Sequence, residues 1–126
     1  MANKKLRILI ADRSASDLPV VELMLNRLGY YRIATTASIS EAYLLSQCTD
    51  HRFDVLIVSA RLFNCEMLSC VSISHICHSA LIYQGGIFQC ITQIQTFGVT
   101  KLLPGRLCAE SLKVFMKEID PSLLSD

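Results

Sequence analysis

The sequence predicts a doubly wound α/β domain: a five-stranded parallel sheet in the order 2-1-3-4-5, flanked by five helices. Three observations carry this expectation. Short apolar runs alternate with longer segments whose apolar residues recur at helical spacing. Three of the runs are apolar without a period of two, the mark of parallel strands buried on both faces. The chain is also 52% hydrophobic against 18% charged, with mean hydropathy +0.40, which suits a sheet covered on both sides.

The runs are "LRILIA" (6–11), "YYRIATT" (30–36), "FDVLIVS" (53–59), "ALIYQ" (80–84) and "VTKLL" (99–103). The first, third and fourth read as central strands. The second and fifth are more polar and belong at or near the edges. Residues 17–28 place Leu18, Val21, Leu25 and Leu28 on one helical face, with Ser16 or Asp17 as N-cap and Pro19 in the first turn. Residues 38–48 open with Ser38 followed by Glu41, the spacing of a capping box. The segment 64–78 has no sharp apolar face and is the least defined of the five. Residues 87–97 carry Ile87, Cys90, Ile91 and Ile94 after the breaker pair Gly85-Gly86. Residues 107–119 set Leu112, Phe115, Met116 and Ile119 on a stripe. Residues 1–120 thus form one domain, and 121–126 read as a tail or the start of a linker.

Net charge is +1, so no overall field recruits nucleic acid or an acidic membrane. No run approaches the ~20 apolar residues of a membrane span. The basic start "MANKKLR" leads into too short an apolar run for a signal peptide, so a cytoplasmic location is expected. The six cysteines then read as small, buried hydrophobes kept reduced.

In a sheet wound this way, chemistry sits at the carboxyl ends of the first and third strands, where the winding reverses. Asp12 and Arg13 follow the first strand and Ser59 closes the third. Gly85-Gly86 lacks the flanking pattern of a phosphate-binding loop and reads as a turn. Cys65, Cys70 and Cys77, with His75 and His78 nearby, match no strong metal-ligand spacing. A catalytic triad using Ser59 would need His75 or His78 as base, and both fall towards the opposite edge of the sheet.

The pattern as a whole resembles a response-regulator receiver domain, the CheY-like branch of the flavodoxin-like architectures. The resemblance lies in "LRILIADRS", "NRLGYYRIATTASISEA", "FDVLIVSARL", "FGVTKLL" and "AESLKVFMKEI", and it covers nearly the whole chain. It implies a pocket at which the family's phospho-accepting aspartate is replaced by Ser59. Of the acidic pair that helps hold magnesium, Asp12 is kept and the second position is Arg13. The hydroxyl residue ending the fourth strand falls on Gln84 or Gly85. The lysine-proline pair after the fifth strand becomes Leu103-Pro104, with Lys101 three residues early; Glu66 and Phe63 fall in the loop after the third strand.

Phosphotransfer needs a carboxylate nucleophile and a hard cation. Magnesium wants oxygen ligands, and a guanidinium beside Asp12 repels it. Arg13 is either a surface cation or a stand-in for the metal. The resemblance therefore implies a pseudo-receiver, without enzymatic activity and without bound magnesium. It would signal by homodimerisation or by docking a signalling protein, with a covalently linked DNA-binding output domain as one arrangement. The interaction face implied by the family lies at 90–97, 99–103 and 107–119, with Ile94, Lys101, Leu102, Leu112 and Phe115 as its candidates. A redox or metal sensor using the cysteine-rich segment 65–78 is the alternative.

Overall fold

The computed structural model describes residues 3–48, 52–62, 76–83, 100–103 and 105–120. Within them lie strands β1 (Ile8–Ala11), β2 (Ile33–Thr36), β3 (Phe53–Ser59), β4 (Cys77–Tyr83) and β5 (Thr100–Leu102), and helices α1 (Leu18–Leu28), α2 (Ile39–Gln47) and α3 (Ala109–Ile119). All four strand pairings are parallel, and the sheet order is β2-β1-β3-β4-β5. The two more polar runs, β2 and β5, take the edges. The helices expected at 64–78 and 87–97 fall largely or wholly outside the described residues. No helix among those described is long and apolar enough to cross a membrane.

Side chains alternate across the sheet and split its apolar residues between two cores. Ile8, Ile10, Val55, Ile57, Leu81 and Tyr83 face α1 and α3, where they meet Val21, Leu25, Leu112, Phe115 and Met116. Leu9, Leu56, Val58, Ala80 and Ile82 face the other way, towards Ile39 and Ala42 of α2. A continuous apolar run such as Leu56-Ile57-Val58 is thus used on both faces, which is why these strands show no alternation in the sequence.

The helix ends follow local chemistry. Asp17 is the N-cap of α1, Pro19 sits in its first turn, and Gly29 closes it in the left-handed region at φ 104°. Ser38 caps α2 by accepting the Glu41 N–H at 3.0 Å, but the Ser38 N–H goes to Thr36 Oγ1 at 3.3 Å. Only one half of the expected capping box is used. A reciprocal box appears instead at α3: Cys108 Sγ accepts the Ser111 N–H at 3.4 Å, and Ser111 Oγ accepts the Cys108 N–H at 3.2 Å.

Two expectations are corrected. β4 begins at Cys77, so the third helical segment stops short of 78 and His78 lies on a strand. The polar start of this strand reads as helix or loop because His78 is exposed there, away from the cores. Leu112 and Phe115, placed on the interaction face, are fully buried in the core beneath α3. The helix shows solvent Lys113, Val114 and Glu118 instead. Phe115→Ala is expected to lower the unfolding free energy by about 3–5 kcal/mol. Val114→Ala, at a position 42% exposed, should change it by no more than about 0.5 kcal/mol. Urea denaturation measures both, and equal losses would contradict this packing.

Candidate functional site

The register of the sheet brings three side chains into one row at its carboxyl edge. Ile10 pairs with Ile57 and Ser59 with Tyr83, so the face that carries Ile10, Ile57 and Leu81 continues through Asp12, Ser59 and Tyr83. All three are buried, at 2%, 0% and 4% exposure. The ladder persists up to this row: Asp12 N–H donates to Thr36 O at 3.1 Å, Ala60 N–H to Tyr83 O at 2.8 Å and Leu103 N–H to Ile82 O at 2.7 Å.

Both oxygens of Asp12 are engaged. Oδ2 accepts the Tyr83 hydroxyl at 2.5 Å. Oδ1 accepts the Ser14 N–H at 3.0 Å, an Asx turn that carries the chain from β1 towards α1. Ser59 behaves in the same way at the end of β3, its Oγ accepting the Arg61 N–H at 3.3 Å. No buried side-chain nitrogen or oxygen among the described residues lacks a partner. Burial first, then the hydrogen bond to Asp12 and its charge, hold the Tyr83 phenol well above the usual phenol range.

The sequence-derived candidates divide accordingly. Asp12 and Ser59 do meet in one row. Arg13 is exposed at the rim, and Asp12 Oδ2 accepts the Tyr83 hydroxyl. Leu103 packs on the core shared with α1 and α3. Lys101 turns to α3, where Nζ donates to Glu118 Oε1 at 3.0 Å. Gln84, Gly85, Glu66 and Phe63 lie outside the described residues, as do Ile94, Cys65, Cys70 and His75. The residue that sequence reasoning missed is Tyr83. Counting by twos from Leu81 puts it, rather than Gln84 or Gly85, opposite Ser59 on the α1 side. His78 lies at the far end of β4, and its Nδ1 is 3.1 Å from Arg52 Nη2, so it gives Ser59 no base.

A hard cation at this edge would need several oxygen ligands. The row offers one carboxylate, already accepting two hydrogen bonds, and a serine hydroxyl turned to the backbone. Among the described residues no three His, Cys, Asp or Glu side chains gather to hold a metal.

No protein-family model matches the chain, and no curated protein sequence does. Solved structures do match in shape. One is the receiver domain of a sensor histidine kinase from Pseudomonas aeruginosa, crystallised with magnesium coordinated in its active site cleft. It is 15% identical over 90% of this chain and 95% of that one, with a TM-score of 0.66. Another is a response regulator receiver domain from Clostridium thermocellum, 17% identical over 90% and 93%, with a TM-score of 0.68. The fold is the receiver fold. At these identities the likeness concerns shape, and the chemistry has to be read from the row itself.

Two measurements test the row. Tyr83→Phe removes the donor to a buried carboxylate oxygen and should cost about 1–3 kcal/mol of stability. In alkali the sign follows from the raised phenol. The native state keeps its proton where the unfolded chain would lose it, so the stabilisation is complete below about pH 10 and fades as pH rises above that. Tyr30, also raised by burial and by its bond to Asp120, adds to the same loss. Phenolate absorbance followed alongside circular dichroism should show Tyr30 and Tyr83 ionising only as the fold is lost; ionisation of either in the folded state would refute the geometry.

Proposed function

We propose that the chain is an atypical receiver-fold regulatory domain that works through protein–protein contact, without aspartyl phosphorylation. The observation that carries this reading is the row Asp12–Ser59–Tyr83. A serine stands where the resembling family accepts phosphate, and the remaining carboxylate is already bound by Tyr83 and Ser14. Ser59 is a weak nucleophile, and neither Asp12 nor Tyr83 would neutralise phosphoryl oxygens as a metal does. On this reading the domain is not an enzyme, needs no magnesium and resides in the cytoplasm.

Contact with a second copy or a signalling partner would use the outer side of β5 and α3, where Lys101 and Glu118 form a partly exposed pair 3.0 Å apart. A DNA-binding output domain beyond 121–126 would be the covalently linked arrangement. The redox- or metal-sensing alternative finds less support. Within its segment, Cys77 is buried and its thiol is pushed up to about 12, mainly by burial, far from the thiolate that such chemistry uses.

Incubation with acetyl phosphate and magnesium, followed by intact-mass analysis, tests the proposal. The expected result is no phosphoryl adduct. An acid-stable or acid-labile adduct on any residue of the domain would overturn it.

A further inference from the structure

A cleft opens beside the row, on its α1 side. Its volume is about 180 Å³, and Asp17, Val20, Val21, Met24, Arg61, Tyr83, Arg106 and Leu107 line it. Three parts of the chain contribute chemistry here. α1 supplies an apolar wall, Val20, Val21 and Met24, which Leu107 completes from the segment before α3. Arg61, two residues past Ser59, and Arg106, two residues before the α3 N-cap, bring guanidiniums from separate elements. Asp17, the N-cap of α1, supplies a carboxylate that makes no side-chain cap hydrogen bond. Asp17 and Arg61 line the cleft together with Tyr83, and their charges act on its hydroxyl in opposite directions.

Among the described residues, two cations, one anion and an apolar wall in so small a space describe a ligand with the complementary groups. A simple carboxylate would meet the arginines but be repelled by Asp17. An amine would meet Asp17 but be repelled by both arginines. A zwitterion with a short apolar body satisfies all of them. An apolar cavity of ~150 Å³ accommodates benzene, so 180 Å³ scales to roughly seven heavy atoms, enough for most of an aliphatic amino acid in a cleft that is open on one side.

We propose that this cleft binds a free α-amino acid with an aliphatic side chain. Its carboxylate is taken by Arg61 and Arg106, its ammonium by Asp17 and its side chain by Val20, Val21, Met24 and Leu107. Planar guanidiniums suit a carboxylate because they donate two parallel hydrogen bonds. Tyr83 forms the floor while its hydroxyl stays on Asp12. The binding itself does not depend on how the domain contacts its partners.

The test is an amide NMR titration of the whole chain with L-leucine, alongside 4-methylpentanoate, isoamylamine and glycine. Leucine should give saturable shifts at Asp17, Val20, Val21, Arg61 and Leu107. The three partial analogues, each lacking one of the groups, should bind at least about tenfold more weakly. Arg61→Ala, Arg106→Ala and Asp17→Asn should each weaken leucine about tenfold. Arg61 and Arg106 are exposed and asparagine remains a good N-cap, so spectral dispersion should be retained in all three. No saturable shift with leucine would overturn the assignment. So would an analogue that matches leucine, or folded variants that bind it unchanged.

Discussion

A carboxylate that is 2% exposed has to be met by donors, because a buried anion left without them is among the costliest features a core can hold. Asp12 has two: the Ser14 amide, supplied by the turn that leads into α1, and the Tyr83 hydroxyl, supplied by a strand two places away in the sheet. The second depends on register. Tyr83 reaches Asp12 only because β4 pairs with β3 so that Tyr83 lies opposite Ser59, and because β3 pairs with β1 so that the α1-facing rows run on in line. A slip of one residue would turn Tyr83 towards the α2 side. One hydrogen bond therefore reports on the alignment of three central strands.

The same chemistry recurs at the opposite end of the domain. Tyr30, fully buried before β2, donates to Asp120 Oδ2, which also accepts the Asn3 N–H at 2.9 Å. Asp120 follows α3 and Asn3 precedes β1, so this tyrosine–aspartate pair ties the two ends of the domain together beneath the α1–α3 core. Each pair caps one end of that core with a buried acceptor facing a buried phenol. The α1–α3 core thus carries such a pair at each end, while α2 covers the other face with aliphatic contacts from Ile39 and Ala42.

The sheet was legible because its signals are local. Continuous aliphatic runs with no alternation, at the right length, can only be central parallel strands, and their polar counterparts fell at the edges. The α1 and α3 stripes were legible for the same reason. What could not be seen was the identity of cross-strand neighbours. Tyr83 reads as one more apolar residue of β4, and its importance comes from a pairing with Ser59 that no window of sequence contains. The start of β4 was hidden because Cys77-His78-Ser79 carries the exposed end of an otherwise buried strand. The stripe that marked α3 also misled: Leu112 and Phe115 are periodic because they face the core, and the same periodicity removes them from any docking surface.

On the proposed reading, these constraints bear on how such a domain can signal. A switch needs two arrangements of similar free energy and an input that favours one of them. At the row, moving Tyr83 away would leave a buried carboxylate oxygen short of its donor, at about 1–3 kcal/mol or more for a charged group. On the proposed reading, with a serine in the phosphate position, no phosphoryl group arrives to offset that cost. The row is thus better suited to holding one state than to exchanging two. The places left for regulation are those the row does not lock: the Lys101–Glu118 surface, where an exposed pair is weak and easily remade, and the cleft over Tyr83. That cleft touches α1, the residues after β3 and those before α3 at once. A ligand there would act on the relative placement of three elements without disturbing the Tyr83–Asp12 bond beneath it.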